Sequence, residues 1–224
     1  MTHTRRLALS TALALAALSA CTETAVEAPA PDPQDAFWNA LSSHCGKAFA
    51  GRLVSEDEAD ADFVGAPMVM HVRECSDTSI AVPFHVELAN EDGEREWDRS
   101  RTWLITRNAA GGLRLKHDHR HKDGTSDKVT MYGGDTASDG TARAQDFPVD
   151  AESVALFEAE GLDASVTNVW TVEIDAADAD TDNPRYVYQL KRTVEGGAPE
   201  DRLFRVEFDL TQEVEAPPAA WGQD

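Results

Sequence analysis

Basic residues are scarce in this chain: 20 Lys+Arg stand against 41 Asp+Glu over 224 residues, a formal net charge of −21. A nucleic-acid duplex is held by cations that displace its counterions, so nucleic acid is excluded as a partner. Long apolar runs are also missing. The longest such segment, Leu7 to Ala17, is interrupted by Ser10 and Thr11 and falls short of the roughly 20 residues a membrane-spanning helix needs. There are only 3 cysteines and no C-x-x-C, which argues against a zinc or dithiol redox centre. G-x-S-x-G, the P-loop, H-E-x-x-H and the dinucleotide-binding glycine fingerprint are all lacking, so the familiar nucleophile, phosphate and zinc-protease motifs are excluded. Disorder is excluded in turn, because 42% hydrophobic residues with 5 Trp and 8 Phe suffice for a core.

Present at the N-terminus is a basic segment (Met1 to Arg6), the short apolar run, and then Leu18-Ser19-Ala20-Cys21. That order reads as a secretory signal. The four residues resemble the lipobox of bacterial lipoproteins. The resemblance implies that residues 1–20 are removed, that Cys21 carries acyl chains, and that the chain is held stably at a membrane through them. Thr22 follows where an inner-membrane retention signal would place Asp, which implies an outer-membrane address facing the periplasm. Thr4 to Leu9 is similar in part to a twin-arginine signal, with Ala8 in place of its aromatic residue. Without Arg5 and Arg6 the mature chain keeps 18 basic residues against 41 acidic ones, a net charge of −23. Lipid, not charge, is then what holds it at an anionic surface.

Residues 21–36 form the lipidated Cys and a Pro/Ala/acidic spacer, residues 37–214 a single β-rich domain, and residues 215–224 a Pro/Ala tail. In an oxidising compartment Cys45 and Cys75 are expected to form a disulfide. Asp35 is expected to cap a short helix carrying Phe37, Trp38 and Leu41, and Asp150 a second one over residues 151–160.

Between these, nine apolar or alternating segments read as strands: 48–55, 67–75, 79–88, 101–107, 113–121, 128–132, 166–174, 186–192 and 203–210. Turn residues such as Asp123-Gly124, Gly133-Gly134 and Gly196-Gly197 separate them. Short connections imply antiparallel pairing, and the fold class is mainly β: an up-and-down barrel, or a sandwich, of about nine strands. The general shape is similar to lipocalin-type and heme-binding small-ligand barrels. The likeness is architectural, since Gly46-Lys47-Ala48 stands where lipocalins carry Gly-x-Trp. The acidic segments 56–62 and 178–182 read as solvated loops, because the second lacks the glycine and final glutamate of an EF-hand.

One segment concentrates chemistry. In Leu113 to Gly124, strand alternation puts Leu113, Leu115, His117, His119 and His121 on one face, and 3 of the 7 histidines lie within five residues. Two such imidazoles and a ligand from another strand (His71, His85, Asp135 or Glu173) suit a divalent transition metal, the one cofactor the sequence suggests. An open position on that metal would allow water activation. Arg101, Trp103 and Tyr132, on strands paired with the histidine strand, suit a polar end to an apolar cavity. Three readings stay open: a small-molecule or envelope-component binder using Arg101, Trp103, His117, His119, His121 and Tyr132; a metal-dependent hydrolase on the histidine stripe; and a structural envelope lipoprotein without a small ligand. Whether the chain is an enzyme is left undecided by its sequence.

Overall fold

The computed structural model of the chain describes residue 1, residues 31–90 and residues 92–223. The lipobox and Cys21 lie outside the described residues. Eleven strands alternate with two α-helices: β1 (Ala48–Leu53), β2 (Met68–His71), β3 (Glu74–Cys75), β4 (Ser79–Ala89), β5 (Arg95–Arg107), β6 (Leu113–His119), β7 (Tyr132–Asp135), β8 (Ala144–Pro148), β9 (Val169–Ile174), β10 (Arg185–Arg192) and β11 (Arg202–Val214), with α1 (Pro33–Ser42) before β1 and α2 (Ala151–Ala159) after β8.

All pairing is antiparallel, in the order β7-β6-β5-β4-β2-β1-β11-β10-β9-β8, with β3 beside β4. The two ends of that path meet: Gly134 bridges Val149, and the Asp150 N–H donates to the Gly133 carbonyl at 3.0 Å. The sheet is therefore a nearly closed barrel, which removes the exposed edges a flat sheet would carry. Alternation fills it. Ile80, Val82, Phe84 and Val86 of β4, Trp103 and Ile105 of β5, Trp170, Val172 and Ile174 of β9, and Val206 and Phe208 of β11 form one buried cluster.

Glycine sets the seam. A Cβ on Gly133 would stand 1.9 Å from the Leu115 carbonyl oxygen, and one on Gly134 1.8 Å from that of Pro148. The pair read in the sequence as a turn is thus a strand segment, β7, whose neighbours pass too close for any side chain. This corrects the strand expected at 128–132, which begins only at Tyr132. Met131 turns the chain into it with φ of +57°, in the left-handed region that L-residues seldom adopt.

Other departures have similar local causes. Asp32, not Asp35, caps α1, accepting from the Gln34 and Asp35 N–H groups at 2.9 and 3.2 Å, so residues 33–36 belong to the helix and not to the spacer. Asp35 instead pairs with Arg107. β5 starts at Arg95 and not Arg101, its first turn-proximal residues being charged and held by contacts such as Arg95 to Glu87. β8 escaped the sequence reading because only Gln145 and Phe147 point inward from it. Residues 58–63 form a 3₁₀ helix whose Asp60 is buried beneath Arg202, so the segment is not simply a solvated loop. The expected cap at Asp150 is present, accepting from the Ser153 N–H at 2.8 Å.

α1 stoppers one end. Phe37, Trp38 and Leu41 are buried, α1 packs against β8 and β9, and the Arg107 guanidinium lies 4.7 Å from the Trp38 ring centroid. Cys45, just beyond α1, is bonded to Cys75 in β3. Closing a loop with a sequence separation of 30 contributes about 3.5 kcal/mol in the chain-entropy account. The segment after β11 lies along the barrel wall. Arg73 donates to the Gln223 carbonyl at 2.6 Å, and the Trp221 N–H to that of Arg99 at 3.0 Å.

Gly134→Ala is expected to destabilise the fold by about 3 kcal/mol or more, lowering the midpoint of thermal unfolding by roughly 10 °C in circular dichroism. A variant melting within about 2 °C of the parent would show that the seam has room for a methyl group.

Candidate functional site

The β5–β6 register sets Arg101 opposite His119 and Trp103 opposite His117, and the β6–β7 register sets His117 opposite Tyr132. With residues i and i+2 on one face, these five side chains converge on the interior at the barrel end away from α1. There they line a cavity of about 300 Å³, with Phe84, Phe157, Asn168, Tyr188, Arg192 and Arg202 among its other walls. That volume sits at the lower bound of small-ligand sites.

His121 does not join them. β6 ends at His119, the His121 N–H donates to the Thr125 carbonyl at 2.8 Å as the chain turns at Asp123-Gly124, and the side chain is exposed. The alternation that would carry it inward stops two residues too soon.

His117 is fully committed. Its Nδ1 lies 2.9 Å from the Tyr132 carbonyl, which can only accept, so Nδ1 carries the proton; Nε2 then accepts from the Tyr188 hydroxyl at 2.7 Å. Burial drives its pKa down to about 3. His119 is lowered to about 4, by burial first and then by the Arg101 guanidinium, and its Nε2 lies 3.1 Å from the Tyr132 hydroxyl. Burial likewise pushes Tyr132 up to about 12 and Tyr188 well above its ordinary value. At neutral pH the whole Tyr–His set is uncharged.

Aromatic rings fix the wall. Trp103 lies between Phe84 and Tyr188, near-parallel to both, with centroid distances of 4.9 and 4.3 Å, and His117 stacks on Tyr132 at 4.6 Å. The guanidinium groups are matched: Arg101 by Asp98, Arg202 by Asp60 and by Asp57 at 3.2 Å, and Arg192 by Glu200 at 3.1 Å. The site therefore offers aromatic surface and hydrogen-bonding groups, with little net positive charge for a strongly anionic guest.

A metal held by the histidine stripe would need groups that stand elsewhere. Asp135 is bound by Arg114 at 2.6 Å and Glu173 by Arg205 at 2.9 Å, while His71 and His85 sit together on another part of the wall. Among the described residues no group of three His, Cys, Asp or Glu side chains is placed to hold a metal ion.

Tyr188, Asn168, Arg192 and Arg202 were not read as site residues from the sequence. Tyr188 had a signal, since it alternates with the inward Tyr186 on β10. The others enter through strand ends and an ion pair, Asp60 to Arg202, that spans 142 residues. No known protein family matches the chain, and no curated protein matches it either. Among the described residues no helix is long and apolar enough to cross a membrane.

Desolvated histidines make stability pH-dependent. His85, His117 and His119 have folded-state pKa values of about 4, 3 and 4, below the unfolded value of 6.5. Their contribution is complete above pH 6.5 and is lost as pH falls, because the unfolded chain takes up protons first. Between pH 7 and pH 5 each should cost about 2 kcal/mol of unfolding free energy. Urea titrations of His117→Phe should show a loss over that interval smaller than the parent's by about that amount; an unchanged loss would place the His117 proton uptake elsewhere.

Proposed function

We propose that this chain is an exported, lipid-anchored protein of the bacterial outer membrane, facing the periplasm, whose barrel binds a small, mostly aromatic or apolar molecule. The observation that carries the binding reading is the cavity of about 300 Å³ at the barrel end that α1 leaves open. Its walls hold Trp103, Tyr132, Tyr188, Phe84 and Phe157. A barrel needed only as a structural element gains nothing from unfilled volume in its core, since voids forfeit dispersion contacts. Neutral imidazoles and paired guanidinium groups favour an uncharged guest over phosphate. The anchoring reading rests on Leu18-Ser19-Ala20-Cys21, and the Cys45–Cys75 bond suits an oxidising compartment.

N-Phenyl-1-naphthylamine, a neutral aromatic fluorophore, is expected to bind saturably at one per chain. Val129→Trp, which fills the cavity from a lining position, should weaken it by about tenfold or more. The reading fails if fluorescence does not saturate or if Val129→Trp binds as the parent does.

Expressed from its full sequence in a bacterial host, the protein should fractionate with membranes and enter the detergent phase. Cys21→Ala should leave it in the soluble fraction. Identical partitioning of the two would dismiss the acyl anchor.

A further inference from the structure

One lip of the cavity carries two hydrogen-bonding groups that the protein leaves without partners. β9 and β10 pair with Lys191 opposite Val169, so continuing the register by one sets Arg192 beside Asn168 with both side chains on the same side of the sheet. Both line the cavity. Asn168 is 3% exposed, and its main chain is spent: its carbonyl accepts from the Val149 N–H at 2.9 Å and its N–H donates to the Ser165 carbonyl at 3.1 Å. Its side-chain Oδ1 is buried with no partner. Arg192 reaches Glu200 through Nη2, while its Nε–H is buried and equally unpartnered.

Buried polar atoms are nearly always satisfied, so two orphans on one lip call for a partner. Here the register brings together the residues that bear a lone acceptor and a lone donor, in a cavity whose lining also includes the rings of Phe84, Trp103, Tyr132, Phe157 and Tyr188. Their complement is a group offering one donor and one acceptor along a single edge.

Resting on the binding reading above, we propose that the cavity selects a planar ring with a cis-amide edge, the lactam or cyclic-urea chemistry found in heterocyclic bases. The ligand carbonyl accepts from Arg192 Nε–H, the ligand N–H donates to Asn168 Oδ1, and the ring lies among the aromatic walls. A trans-amide points its two groups in opposite directions and cannot bridge the pair. A carboxylate only accepts, so it would set one oxygen against the Asn168 oxygen.

The probes are 2-quinolone, its N-methyl derivative, which keeps the ring and carbonyl and loses the donor, and 1-naphthoate, titrated into the purified protein by calorimetry at pH 7. We expect 2-quinolone to bind at one per chain and the N-methyl compound about tenfold more weakly or worse, because a site built to pair an N–H rejects an analogue that lacks it. Asn168→Leu should bring the two compounds within about twofold of each other, with its circular dichroism spectrum reporting that the barrel is folded. Arg192→Met gives an independent check: it removes the other partner and should weaken 2-quinolone to the affinity of its N-methyl derivative. The proposal is overturned if the N-methyl compound matches 2-quinolone in the parent, if 1-naphthoate binds more tightly than 2-quinolone, or if 2-quinolone does not bind where N-phenyl-1-naphthylamine does. In each case the cavity reading survives. Loss of all aromatic binding, the fluorophore included, would instead strike down the binding reading itself.

Discussion

The fold depends on a close approach of backbone to backbone at Gly133 and Gly134. With no side chain on either residue, β7 fits between β6 and the chain leaving β8, and the sheet closes. That closure places Tyr132 against His117 and fixes the start of α2. The Gly133 N–H donates to Ser153 Oγ at 2.7 Å, and Lys116 reaches Asp150 at 2.9 Å and Glu152 at 3.0 Å. α2 in turn carries Phe157 to within 5.3 Å of the Tyr132 ring, on the cavity wall. A steric allowance of one hydrogen atom at two positions thus propagates, through a cap and an ion pair, to the shape of the cavity end.

What could be read in advance was what depends on near neighbours in sequence. Period-two alternation revealed β4, β9, β10 and most of β6, Asp150 announced its helix, and Cys45 and Cys75, once Cys21 is set aside, announced their bond. Five of the six side chains assigned to a ligand site line one cavity because alternation along β5 and β6 is a local property. What could not be read is set by distant contacts. Gly133-Gly134 has the composition of a turn, and only Leu115 and Pro148 make it a strand. The segment 56–62 has the composition of a solvated loop, and only Arg202 makes Asp60 a buried anchor. His121 obeys the same alternation as His117 and His119, yet the turn at Asp123-Gly124 ends the strand before it.

A protein with a net charge of −21 hides an interior in which the titratable rings are neutral. Desolvation is the first cause of the shift at both His117 and His119, and at His119 it outweighs Asp127, Asp98 and Asp118, which would otherwise favour protonation. The arginines of the cavity wall are charge-matched by carboxylates: Arg101 by Asp98, Arg192 by Glu200 and Arg202 by Asp60. The cavity consequently presents ring surface and hydrogen-bonding groups whose protonation state is constant across the neutral range.

The barrel is completed by the pairing of β1 with β11, in which Ala48 stands opposite Val214 and Leu53 opposite Val206. The earliest strand in the chain therefore has no lasting neighbour on that side until the latest one arrives. Such a wiring gives a high contact order and slow, late-committing assembly. Tertiary structure in a chain wired this way waits for its last strand, and a chain cut short before β11 would leave β1 with one open side.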